Sequence, residues 1–192
     1  MKNQLIVKLM NIKDVDDSMI YKRVGDIALT LWIYIGHYED NFITMKVAKG
    51  LFDESEEELF EIALHNTEKE FPAVVFEYEK VLANPDYSGT DFLTGKFNLR
   101  LNEGNCFTNS LTYNGAVTLF YPSVQEKLLK ELGTGFYVAF TSVHEAIVHA
   151  EGTMSIELIK GAIDGMKDIV SDDIFLTDVV YYFDKNKTWS CL

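Results

Sequence analysis

Residues Gly135 to Gly152 read GFYVAFTSVHEAIVHAEG, and their backbone conformation decides what kind of protein this is. As a helix, the stretch would nearly match the H-E-x-x-H string of zinc metalloproteases. That string works because two histidines four apart on a helix turn their imidazoles toward one metal. Here the histidines are His144 and His149, five apart, which on a helix leaves them about 140° out of line. The composition argues for a strand instead, because an aromatic and β-branched run follows Gly135. In a strand, residues five apart face opposite sides. Neither geometry lets one metal take both histidines, and no metal site is expected.

A strand running through residue 146 would place Ser142, His144 and Ala146 on one face, with Thr141, Val143 and Glu145 on the other. Ser142 and His144 would then stand about 7 Å apart between Cα atoms, near enough for a Ser–His contact. A nucleophile and its base usually come from different elements, so the preferred reading is that these polar groups close the strand and satisfy its end. The following AIVHA either extends the strand or pairs back as a second one.

The flanks are consistent with a sheet carrying helices. Ser123 and Glu126 have capping-box spacing ahead of the helix VQEKLLKEL, which stops at Gly133. SIELIKGAIDGMKDIV (Ser155–Val170) has Ile156, Ile159, Ile163 and Met166 on one helical face. DDIFLTDVVYYFD supplies one or two closing strands. Upstream, CFTNS and AVTLFYP read as strands joined through LTYNG, with Asn114-Gly115 a hairpin turn signal and Tyr121-Pro122 the strand exit.

Further toward the N-terminus, QLIVKLM (Gln4–Met10) is a strand or helix, and DIALTLWIYIG (Asp26–Gly36) is a strand buried on both faces. NFITMKVAKGLF reads as a short helix with Thr44 as N-cap. Ser55 with Glu58 forms a capping box for a helix that Pro72 ends. The acidic run DESEEE is a solvated helix start. AVVFEYEKVL is a strand, and residues 83–105 form a long, turn-rich connection. This order predicts one α+β domain over residues 1–192, a mixed and largely antiparallel sheet with about four helices packed on it. Mixed α/β is the second choice.

The chain has 17 basic and 30 acidic residues, a net charge of −13. That charge opposes phosphate backbones and anionic membranes, so neither nucleic acid nor membrane is expected as a partner. Cys106 and Cys191 make no disulfide framework and read as reduced thiols. The N-terminus lacks a signal-peptide pattern, and the longest apolar run, Ile27–Ile35, is too short to span a bilayer as a helix. A cytoplasmic protein is expected. No phosphate-binding Gly-rich loop is present.

Four strings also share a resemblance: ELFEIALHNTEKEFPA (Glu58–Ala73), FTNSLTYNGAVTLFYPSV (Phe107–Val124), GFYVAFTSVHEAI (Gly135–Ile147) and LTDVVYYFD (Leu176–Asp184). Together they resemble the uncharacterised clostridial proteins, common in gut Firmicutes, catalogued as domain of unknown function 5688. The shared pattern falls on Ala63, Asn66, Thr67, Phe71 and Pro72, then on Thr108, Asn109, Gly115, Ala116, Tyr121, Pro122 and Val124, and finally on Ser142, His144 and Glu145. Phe107 replaces an expected Leu, and Thr141 replaces the first Ser of the last motif, which weakens a nucleophile there. The likeness runs from about Leu5 to Asp184, without the family's usual N-terminal segment. It implies a fold and a bacterial cytoplasm, names no reaction, and singles out Asn109, Ser142, His144 and Glu145.

The preferred function is a non-catalytic domain that binds a protein partner or small ligand through Asn109, Ser142, His144 and Glu145, without a cofactor. The alternative is a hydrolase or transferase with His144 as general base, Ser142 or Cys106 as nucleophile, and Glu145 or Asn109 orienting. A third reading is a regulatory oligomer joined through the Tyr-rich last strand, the oligomeric state itself being open. His37 and His65 read as surface or boundary residues and Asn66 as a loop tie. Trp32, Tyr34, Tyr181 and Tyr182 read as core or sheet-face aromatics.

Overall fold

The computed structural model describes residues 1–38, 41–84 and 86–192. The N-terminal apolar run is β1 (Leu5–Asn11), and β2 (Tyr21–Val24), β3 (Ile27–Tyr38) and β4 (Asn41–Lys46) complete an antiparallel sheet around the long β3. The β1–β3 register pairs Leu5 with Ile33, Val7 with Leu31 and Leu9 with Leu29, and all six are in the main core. The alternate positions Ile6, Lys8 and Met10 lie on the opposite face with Trp32, Thr30 and Ala28.

The short helix expected after residue 41 is instead β4, and Thr44 pairs with Tyr34 rather than capping a helix. Its outward side chains, Ile43 and Met45, are apolar and about half exposed. The alternation of this strand is therefore conformational and not compositional.

The capping box forms as expected. Ser55 and Glu58 exchange hydrogen bonds at the start of α1 (Glu56–Glu70). AVVFEYEKVL divides into β5 (Ala73–Phe76) and a short α2 (Tyr78–Ala83). β6 (Thr90–Asp91) lies within the long connection, and β7 (Asn105–Asn109) follows it.

AVTLFYP is not a strand. Gly115–Phe120 wind into a 3-10 helix, every residue of it buried, and Asn114 precedes it in the left-handed region at φ 54°. A short, uniformly apolar run has no period, so a buried strand and a buried helix look alike in sequence. Tyr121 is therefore the N-cap, and Pro122 the first residue, of α3 (Pro122–Leu132). The expected Ser123–Glu126 box does not form: Ser123 donates to Glu68 and Glu126 pairs with Lys187. Gly133 closes α3 at φ 69°, as its C-cap.

β8 (Phe136–Ala139) is short, and β9 (Ala146–Ala150) pairs back on it. α4 (Ile156–Lys167), β10 (Val180–Phe183) and β11 (Trp189–Cys191) complete the described chain. The second sheet runs β11-β10-β8-β9-β7-β5-β6. The fold is α+β, with four α-helices among the described residues and every strand pairing antiparallel, but the strands divide between two sheets. One face of the second sheet adds Val75, Phe107, Val138, Val148 and Phe183 to the main core, while Ala139 and Val180 on its other face pack against Ile159 and Ile163 of α4. β10 is an interior strand of this sheet; Tyr181 is buried, and Tyr182 on the opposite face is partly exposed beside Tyr137. Among the described residues no helix is long and apolar enough to cross a membrane.

Side chains from α1 and from the loop after β7 stand along β1 where a neighbouring strand would. β1 is an edge strand. Asn114 closes that edge from two directions: its Oδ1 accepts from the Leu9 N–H and its Nδ2 donates to the Val7 carbonyl, each at 3.0 Å. Thr67 Oγ1 accepts from the Val7 N–H at 2.9 Å, Asn66 donates to the Leu5 carbonyl, and Asn11 donates to the Leu176 carbonyl. The Tyr181 hydroxyl adds a further clip, accepting from the Asp26 N–H at 2.8 Å and donating to the Val24 carbonyl at 3.1 Å.

Candidate functional site

The opening string is a turn between two strands. β8 stops at Ala139, so Ser142 and His144 do not alternate along a strand. The buried Ser142 hydroxyl accepts from the backbone N–H groups of His144 and Glu145, at 3.1 and 3.2 Å. It satisfies two backbone groups of the turn that follows β8. Thr108 Oγ1 donates to the His144 carbonyl at 2.8 Å. Val143 is held on both sides, its carbonyl by the Ala116 N–H and its N–H by the Ile174 carbonyl.

Asn109 performs the matching task on the facing loop. Its Oδ1 accepts from the N–H groups of Leu111 and Tyr113, and its Nδ2 donates to the Tyr113 carbonyl at 2.7 Å. This self-wrapped Asx loop presents Tyr113 and Asn114. Gly115 lets the two loops meet: a Cβ there would lie 2.1 Å from Thr108 Oγ1 and 2.4 Å from the His144 carbonyl oxygen.

This knot forms one wall of a cleft of about 760 Å³, a volume within the usual range of small-molecule sites. The opposite wall is the outer face of the first sheet, with Lys8, Met10 and Trp32, and the 172–175 segment closes the end. Trp32, Tyr113, Ile174 and Phe175 line it as incompletely buried apolar surface, and Asp14, Asp172 and Asp173 stand at the exposed rim.

Of the four residues singled out in the sequence, only His144 lines this cleft. Asn109 and Ser142 hold its wall through backbone bonds. Glu145 accepts from the Cys106 thiol at 3.4 Å, and Cys106 lines a separate pocket of about 80 Å³ beside Arg100. His37 and His65 are exposed, and Asn66 ties the N-terminal segment by donating to the carbonyls of Lys2 and Leu5. Among the described residues no group of His, Cys, Asp or Glu could hold a metal ion.

The His144 ring accepts at Nδ1 from the Asn114 N–H, at 3.2 Å. In the neutral ring the proton therefore sits on Nε2, and the free nitrogen is a donor. Burial lowers the His144 pKa below its ordinary 6.5, with Glu145 and Asp173 raising it in part and Lys8 adding to the lowering. Burial also lowers that of His149.

The sign of the resulting pH effect is definite. Below about pH 6.5 the unfolded chain takes up protons that the folded chain resists, so stability falls as pH falls through that window. His144→Gln is expected to flatten the dependence between pH 7 and pH 5. Urea melts at three pH values across the window check this, and an unchanged slope would refute it.

Lys8 is the residue the sequence did not single out. Its ammonium lies 4.5 Å from the centroid of the Trp32 ring and 5.9 Å from that of Tyr113. No carboxylate is within ion-pair distance of it among the described residues. Burial lowers its pKa from the ordinary lysine value. Tyr113 also touches the His144 ring, at 5.1 Å between centroids. Lys8 and His144 thus both approach the Tyr113 ring. The signal in the sequence is a lone lysine between Ile6 and Met10, the apolar neighbours that share its face of the strand.

A family model described as "Family of unknown function (DUF5688)" matches residues 1–185. No curated protein and no solved structure matches the chain.

Proposed function

The chain belongs to the family of unknown function DUF5688; on that premise, which brings no reaction with it, we propose that it is a binding protein for a small molecule. The ligand carries an anionic group beside an apolar or aromatic part. The observation that supports this is Lys8, a half-buried ammonium with no carboxylate partner among the described residues, facing a cleft lined by Trp32 and Tyr113. An unpaired charge held away from water costs stability unless something pairs with it. The natural complement is an anion that also brings apolar surface. Lys8 supplies the charge, the His144 Nε2–H a second donor, and the two rings the flat walls.

A catalytic reading centred on His144 as general base gains no support from this arrangement. Proton abstraction at Nε2 would need the other tautomer and the loss of the Asn114 bond. Ser142 uses its oxygen on the backbone, and Cys106 lines a different pocket.

The test uses phenylacetate as probe and Trp32 fluorescence as readout, in a Trp189→Phe background, since Trp189 sits among Phe120, Phe140 and Phe183. Saturable quenching is expected. Lys8→Met should weaken it by about tenfold or more, the loss of a charge-assisted hydrogen bond worth about 1.5–3 kcal/mol. The same substitution should raise the melting temperature, because it removes an unpaired charge and keeps the stem. Quenching equal in the Lys8→Met chain, or no saturable quenching by phenylacetate or 4-phenylbutyrate, would overturn the proposal.

A further inference from the structure

We infer that Lys8 is a nucleophile and that the cleft takes a carbonyl-bearing ligand, an aldehyde or a 2-oxo acid, as an imine on its Nζ. The inference rests on the binding reading above and names the ligand class for the same cleft.

The first support is placement. Lys8 projects from the outer face of β1, where its neighbours on the strand face are Ile6 and Met10, and it ends against the Trp32 and Tyr113 rings. The charged and titratable groups lining the same cleft are Lys13, Asp14, His144, Asp172 and Asp173. None of these carboxylates pairs with Lys8, although the exposed Lys2, Lys46, Lys80, Lys167 and Lys187 all have carboxylate partners. Burial opposes the ammonium form and lowers the Lys8 pKa, while the two ring contacts favour the ammonium. Desolvation of a lysine in an apolar pocket is the usual route to a nucleophilic amine at neutral pH.

The second support is the donor opposite. With Nδ1 accepting from Asn114, His144 presents Nε2–H to the cleft. A carbonyl oxygen is an acceptor and fits that donor. The hydrogen bond orients the ligand and draws electron density from the carbonyl carbon. His144 acts here as a positioning residue.

The step balances without any further reagent. The lone pair of the neutral Lys8 amine forms a C–N bond as the carbonyl π bond breaks. The oxygen takes up the two protons that the nitrogen gives up, carried through solvent at the open mouth, and leaves as water. A C=N bond remains. The carboxylate of a 2-oxo acid pairs with the Lys8 ammonium on entry, the amine fraction reacts, and the imine, taking a proton from solvent, restores the positive charge beside that carboxylate.

The experiment incubates the full chain with phenylpyruvate and sodium cyanoborohydride at pH 7, then locates the reduced adduct by intact mass and peptide mapping. Adduct is expected on Lys8 in excess over the exposed Lys13 and Lys185, by about tenfold for each unit by which its pKa is lowered. Lys8→Arg should abolish the adduct and keep phenylacetate quenching. His144→Gln should slow adduct formation on Lys8 without changing the rate on Lys185. Adduct spread evenly over the lysines overturns the inference. So does no adduct while Lys8-dependent phenylacetate quenching persists, and in that case the binding reading stands. Loss of both the adduct and the quenching overturns both.

Discussion

Replacing Asn114 with alanine is expected to destabilise the protein by about 3–6 kcal/mol. Its side chain is the partner of two buried backbone groups on β1, the Leu9 N–H and the Val7 carbonyl. Each group left unsatisfied costs about 1–3 kcal/mol. The left-handed backbone at φ 54° adds to this, since Asn tolerates that conformation better than Ala. Urea unfolding followed by fluorescence measures the loss. A change below about 1 kcal/mol would mean that water or another side chain takes over the β1 edge. Asn114 also holds the His144 ring through its own N–H. Alanine keeps that backbone N–H, so any folded Asn114→Ala protein should still bind phenylacetate.

Gly115→Ala is the second large effect, through crowding. The added methyl would meet Thr108 Oγ1, the His144 carbonyl oxygen and the Asn109 nitrogen, at 2.1, 2.4 and 2.7 Å. Two of the three are backbone atoms, so no rotamer change relieves the clash. The cost is expected at or above the top of the usual range for overpacking, about 3 kcal/mol. Gly161→Ala supplies the contrast. Nothing lies within 4 Å of a Cβ at that exposed helical position, and alanine there should stabilise by about 0.5–1 kcal/mol. Equal melting temperatures for the two variants would show that the Thr108–Asn109 and Ser142–His144 loops can separate without loss.

The motif residues legible in the sequence prove to be mostly builders of the cleft wall. Asn109 and Ser142 have the short polar side chains that close turns, and this is what they do. His144 was visible as a polar residue at a strand end, and its place in a cleft was not. That place depends on β1, which lies 105 positions before Asn114 in the chain. No local pattern reports a contact of that span. Lys8 was hidden for the same reason: a lysine within an apolar strand reads as an edge residue until the facing wall is known. The errors in the fold have local causes. Gly115–Phe120 has no period to distinguish strand from 3-10 helix, and β4 turns Ile43 and Met45 outward, reversing the usual pattern. The helices with strong caps or a clear apolar face, α1 and α4, were placed correctly.

The clips on β1 also bear on the order in which the chain is made. The first sheet needs only the opening residues, and its strands emerge from the ribosome early. The groups that close its edge come much later: Thr67 is 60 residues past its partner Val7, Asn114 is 105 past Leu9, and Leu176 is 165 past Asn11. The sheet's last strand ends at Lys46, so at about 5–20 residues per second the nascent sheet carries an open edge for roughly 3–14 s before Asn114 is synthesised. Throughout that interval the strand is a template for any extended segment nearby. Lys8 sits on this strand, and a charged side chain on an edge strand disfavours pairing with another chain.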